Sequence, residues 1–108
     1  MSTDPVEAQL VAYNARDVDA FMPCFTEDCV VEDGQGKVLM QGNDAMRNSY
    51  KAMFAANPDL HCHVVTRIRA GEYVIDEERV TGRGPAELHV AVVYRLRGEQ
   101  IAHVRILR

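Results

Sequence analysis

Apolar residues recur at Val6, Leu10 and Tyr13, the i, i+4, i+7 spacing of one helical face. Ahead of them, Asp4-Pro5-Val6-Glu7 places an acid at the N-cap, proline at the first helical position and glutamate at the third, so a helix is predicted to begin there. Glu7 and Asn14 fall off the apolar face, and Asn14-Ala15-Arg16-Asp17 ends the run and supplies the next cap. Val18, Phe21, Met22 and Phe25 continue with helical spacing, but Pro23 lies too deep for a first turn, which predicts a short second helix. Cys29 to Asp33 reads as a strand. Gly34-Gln35-Gly36 turns it, and Lys37 to Met40 returns as its partner, leaving Asp33 at the hairpin tip. Gly42-Asn43-Asp44 opens a third helix with Met46, Tyr50, Met53 and Phe54 on one face, closed by Asn57-Pro58 because a residue before proline avoids helical angles. Four strand-like runs follow, roughly 60–70, 72–81, 87–97 and 100–107, broken at Gly71, Gly82-Arg83-Gly84-Pro85 and Gly98, as in an antiparallel meander.

Helices gathered in the first half and strands in the second predict a single α+β domain over residues 1–108, three helices covering one face of a curved antiparallel sheet. Strand alternation assigns the faces. Leu88, Val90, Val92, Tyr94 and Leu96 line the interior in the third long run, and Ala102, Val104 and Ile106 in the fourth. The second long run resists this reading. Ile75, Glu77, Arg79 and Thr81 lie on one side and Val74, Asp76, Glu78 and Val80 on the other, so charge must meet the core region on either choice.

Composition narrows the function class. With 47% hydrophobic and 26% charged residues the chain is an ordinary globular domain, and no apolar stretch is long enough to span a bilayer. A net charge of −4 with scattered Lys and Arg lacks the footprint of phosphate-backbone binding, so neither nucleic acid nor membrane is expected as a partner. The acidic start has no signal-peptide pattern, and a cytoplasmic location is expected. Cys24, Cys29 and Cys62 sit among apolar neighbours without CxxC spacing and read as reduced, buried thiols. His61 and His63 share a strand face, the spacing of two metal ligands, but no third ligand accompanies them. With Val65, Arg67 and Arg69 they read as a polar outer or dimer face, and no metal is expected. No phosphate-cradling glycine frame and no GxSxG elbow is present.

Several segments together resemble the nuclear transport factor 2-like superfamily, in particular its SnoaL-like polyketide cyclase and ketosteroid isomerase branches. They are Tyr13-Asn14-Ala15-Arg16-Asp17-Val18-Asp19, the run from Phe25 to Asp33, Gly42, and the closing Tyr94-Arg95-Leu96-Arg97-Gly98-Glu99-Gln100-Ile101. The resemblance implies a cystatin-like, cone-shaped barrel whose sheet and helices enclose a pocket, a homodimer formed through the outer sheet face, and cofactor-free chemistry on a small hydrophobic or carboxylate-bearing molecule. It places Asp33 where the isomerases carry their proton-shuttling aspartate. Tyr50 matches one of their pocket tyrosines. The isomerase oxyanion donors fall at Gln9 and Val92, which are neither phenolic nor acidic, and Tyr13, one turn after Gln9, is a substitute donor. A second partial likeness, to limonene epoxide hydrolase, rests on Glu78-Arg79-Val80-Thr81. The arginine matches, but threonine stands where that enzyme has an aspartate.

The expected site therefore comprises Asp33, Arg79, Tyr50 and Tyr13 as catalytic groups, with Glu77, Val92, Tyr94, Phe54 and Val104 against the ligand. An apolar surround would raise the Asp33 pKa toward neutrality, where proton transfer works best, whereas a nearby Arg79 would lower it. Three alternatives stay open: Asp33 as a plain turn former before Gly34-Gln35-Gly36, Glu77 as the pocket acid, and a ligand-binding or dimeric interaction domain without catalysis.

Overall fold

The computed structural model describes residues 4–108. Helix α1 (Pro5–Ala15) starts where the sequence predicts, with Asp4 Oδ1 accepting from the Val6 amide at 3.1 Å. It stops at Arg16, whose left-handed backbone (φ 53°) turns its amide back to the carbonyls of Ala12 and Tyr13. Asp17 then caps α2 (Val18–Phe21) through the Ala20 amide at 3.1 Å, and a single 3₁₀ turn at Met22–Cys24 absorbs Pro23. Strands β1 (Phe25–Asp33) and β2 (Val38–Gln41) form the hairpin, and α3 (Asn43–Ala56) ends at Asn57. The remaining strands are β3 (His61–Ala70), β4 (Tyr73–Thr81), β5 (Leu88–Arg97) and β6 (Gln100–Leu107).

The sheet order is β2-β1-β6-β5-β4-β3, with β2 and β3 as edges, so the sheet curves without closing into a barrel. It is also mixed rather than wholly antiparallel, because β6 enters beside β1 and runs parallel to it. A parallel pair needs a long connection, and α3 with four strands supplies it. Periodicity along a strand carries no information about which neighbour it takes, so this pairing has no signature in the chain.

Phe21, Met22, Met46, Leu60 and Ile101 are essentially inaccessible and join the helices to the sheet. Phe21 is the hub of an aromatic cluster, with ring centroids 4.6 Å from Tyr50, 4.8 Å from Phe25 and 5.6 Å from Phe54. The three cysteines are buried free thiols, as their apolar neighbours predict. Among the described residues no helix is long and apolar enough to cross a membrane.

Two expectations about faces are corrected. Asn14 does not point away from the core. Its amide clamps the backbone of Cys62, accepting from its N–H at 2.7 Å and donating to its carbonyl at 3.0 Å, which satisfies the edge strand β3 at that point. The supposed outer face of β3 is split by a bulge between Val64 and Thr66. The extra residue reverses the alternation. His61 and His63 stay outside, while Arg67 turns inward opposite Asp76 and Arg69 reaches Asp4 at the start of α1.

Candidate functional site

A cavity of about 370 Å³ lies between the concave sheet face and the helices. Tyr13, Phe21, Tyr50 and Met53 form its helical wall, and Val80, Val90, Val92, Tyr94 and Val104 its strand wall. Against this apolar lining stand a few polar groups: Gln9, Ser49, Cys62 and Glu78, with Arg83 and Arg108 at exposed positions. A mostly apolar enclosure with a few convergent polar groups is the usual form of a small-molecule site.

The strand that resisted assignment decides the chemistry. Register with β5 pairs Asp76 with Val92 and Glu78 with Val90, and residues directly opposite in a sheet share a face. Val74, Asp76, Glu78 and Val80 therefore face inward, and both acids are buried, Asp76 completely and Glu78 to 7% exposure. Ile75, Glu77, Arg79 and Thr81 face out.

Three expected site residues lie away from the cavity, Glu77 and Arg79 because of this register and Asp33 because it ends β1 at the hairpin. Glu77 accepts a hydrogen bond from the Thr66 hydroxyl at 3.0 Å and lies 2.7 Å from His89 Nε2, contacts that hold its pKa below the usual carboxylate range. Arg79 pairs with Glu87 at 3.1 Å on the outer surface. Asp33 stays at the hairpin tip, where its Oδ1 accepts from the amides of Lys37 and Gln35, both at 2.9 Å. Those two bonds favour the carboxylate and lower its pKa, the reverse of what a general base near neutrality requires. Asp33 thus acts as the turn former that its Gly-x-Gly context allows.

The other expected residues do meet at the cavity. Tyr13, Tyr50, Val92, Tyr94 and Val104 line it, and Phe54 backs it within the aromatic cluster. Burial raises the pKa of the Tyr13 and Tyr50 hydroxyls, that of Tyr50 to about 12, so both remain protonated donors.

Glu78 is the group that alternation alone left undecided. Its Oε2 accepts from the Tyr94 hydroxyl at 3.3 Å, and Gln9 Nε2 donates to that hydroxyl at 3.2 Å while also bonding the Val6 carbonyl at 3.0 Å. The Cys62 thiol stands within reach of the same carboxyl. Burial raises the Glu78 pKa, and repulsion from Asp76 adds to it. Cys62, Tyr94 and Arg67 oppose the shift, and the pKa settles at about 7. Such a carboxyl can take up or release a proton at neutral pH. Asp76 beside it is committed elsewhere, receiving Arg67 Nε at 2.7 Å and Nη2 at 3.0 Å. Among the described residues no group of three or more His, Cys, Asp or Glu side chains is placed to hold a metal ion.

Comparison with known proteins agrees with this architecture. An uncharacterized cystatin-fold protein from Novosphingobium aromaticivorans superposes with a TM-score of 0.91 at 31% identity, over 100% of this chain and 99% of its own. A proposed polyketide cyclase from Sinorhizobium meliloti gives 0.82 at 24% identity, over 94% of this chain and 92% of its own. A Catenulispora acidiphila protein with the ketosteroid isomerase-like fold gives 0.75 at 22% identity, over 98% and 85%. The last two likenesses speak to fold alone. No curated protein matches the sequence. The SnoaL-like domain pattern matches residues 6–104, nearly the whole chain, and together with the pocket, the sheet and the helices around it this shows that the protein belongs to the SnoaL-like domain family.

Proposed function

We propose that the cavity carries out cofactor-free proton transfer on a small hydrophobic molecule, with Glu78 as the acid–base group. The observation that supports this most strongly is a buried carboxyl, open to an apolar cavity and poised near neutrality, with no arginine or lysine bonded to it among the described residues. As a base, Glu78 removes a proton from a carbon beside a carbonyl. The electron pair moves to the carbonyl oxygen, and the same carboxyl returns the proton to that carbon or to a conjugated one. Tyr13 and Tyr50 make no hydrogen bond to another described residue, so their hydroxyls are available to the developing oxyanion. Tyr94 has a different part. Held by Gln9, it fixes the Glu78 carboxyl in orientation.

The structures named for cyclases and isomerases share this fold, but fold does not select a reaction, and the reading stands on the site. Deuterium exchange into a panel of small cyclic ketones and enones, followed by proton NMR in D₂O at neutral pH, tests it. At least one compound should exchange faster than in buffer, and Glu78→Gln should remove about 10²–10⁴-fold of that acceleration. Asp33→Asn should leave it unchanged. Exchange that survives Glu78→Gln, or that disappears with Asp33→Asn, would overturn the assignment.

A further inference from the structure

Seven of the ten arginines bond to a carboxylate or a carbonyl. Among the described residues, Arg83, Arg95 and Arg108 are the ones that bond to no carboxylate or carbonyl, and two of these three line the cavity. We infer that Arg83 and Arg108 form an anion-reading rim, and that the cavity takes a compact hydrophobic carboxylate, its acid group at the rim and its apolar body inside. The inference rests on the reading of the cavity as a small-molecule site and names the class of molecule.

Topology puts the two arginines at one end of the sheet. Strands β4 and β6 flank β5 and are each antiparallel to it, so they run in the same direction and finish at the same end of the sheet. Arg83 follows the end of β4 and Arg108 the end of β6. Their ends are staggered, because the pairing of β4 with β5 runs on to Leu88 while β6 ends opposite Ala91, and what joins the two arginines is that both line the same cavity. Arg83 is also set in place by its neighbour. Gly82 has φ +80°, and a Cβ there would lie 2.2 Å from the Asp59 carbonyl oxygen, so only glycine lets this loop seat against the start of β3.

The charges in the cavity are graded by depth. Glu78 is buried, both arginines are exposed, and the walls between are Val80, Val90 and Tyr50. Tyr50 lines the same cavity and feels Glu78 as well as Arg83 and Arg108. A planar guanidinium matches a carboxylate in two parallel hydrogen bonds, and an apolar body between rim and base would remove the valine and aromatic surface from water. A neutral molecule would leave the arginines unused. A cation would meet their repulsion on entry.

Calorimetry at pH 7 with 2-naphthylacetate and its methyl ester tests this directly. The acid should bind at least about tenfold more tightly than the ester, a preference that falls as salt is raised. Arg83→Gln and Arg108→Gln should each weaken the acid by severalfold and leave the ester unchanged. Glu78→Gln should keep the preference even where it abolishes deuterium exchange, so the rim and the acid–base role fail separately. Equal affinity for acid and ester, a preference that survives both arginine substitutions or is lost with Glu78→Gln, or absence of binding by either compound up to millimolar concentration would overturn the inference.

Discussion

Asp76 and Glu78 stand two residues apart on the inner face of β4, both withdrawn from water, in surroundings that differ in one respect. Around Asp76 the protein supplies a counter-charge. Arg67 grips both carboxyl oxygens and extends to Glu7 at 2.8 Å, so strand β3, strand β4 and helix α1 are fastened at one point. Around Glu78 it supplies neutral groups, the Tyr94 hydroxyl and the Cys62 thiol, and an open cavity. Both oxygens of the Asp76 carboxyl are taken up by the Arg67 guanidinium. The Glu78 carboxyl, buried and held by neutral donors, keeps its proton until the pH approaches 7. The same strand, with the same alternation, thus carries one acid locked in an ion pair and one that faces the cavity, and the neighbours decide which is which.

The sharpest way to break the structural side of the comparison is Asp76→Ala. It leaves the half-buried Arg67 without its bidentate partner and should cost about 3–5 kcal/mol in urea unfolding, the range for removing one member of a buried ion pair.

Glu78→Gln should do the opposite. Burial lifts the Glu78 pKa from 4.5 to about 7, so the folded chain binds this proton more tightly than the unfolded chain does. The native state therefore loses stability as pH rises from about 4.5 to 7, by a total of about 3 kcal/mol. Gln has no proton to lose. Unfolding measured at pH 5 and pH 8 should show the variant gaining on the parent by up to that amount at the higher pH. A constant difference would mean that Glu78 does not titrate in this window.

Tyr94→Phe is a smaller perturbation. Loss of its hydrogen bond to the carboxylate should cost about 1 kcal/mol and push the Glu78 pKa above 7, which carboxyl-carbon NMR titration would read directly.

Much of the fold is legible in the chain because its signals are local. Asp4-Pro5 and Asp17 cap helices, Pro23 and Pro58 stop them, and glycines at 71, 82 and 98 follow or separate strands at the places where the chain turns. The apolar face of β5 is also legible, since every second residue from Leu88 to Leu96 is apolar. Tyr13, Tyr50, Val92, Tyr94 and Val104 reach the cavity as helical spacing, alternation and family likeness lead one to expect. The central acid is different. On β4 both faces mix apolar and charged residues, and the six residues between β4 and β5 are too long a loop to set the register by turn type. Only pairing with β5 shows that Glu78, and not Glu77, shares a face with Val90.

By itself, then, the sequence determined where the helices start and where most strands turn, though it read Phe25 as helical where β1 already begins, together with the apolar interior of β5 and β6 and membership in a pocketed α+β family. Those features depend on caps, periodicity and turn chemistry within a few residues. Tertiary structure decided that β6 lies parallel to β1, that a bulge in β3 delivers Arg67 to Asp76, and that Asp33 caps a turn while Glu78 faces the cavity. A carboxyl's proton affinity is set by the charges, donors and water around it, and in this protein those come from strands and helices distant in the chain.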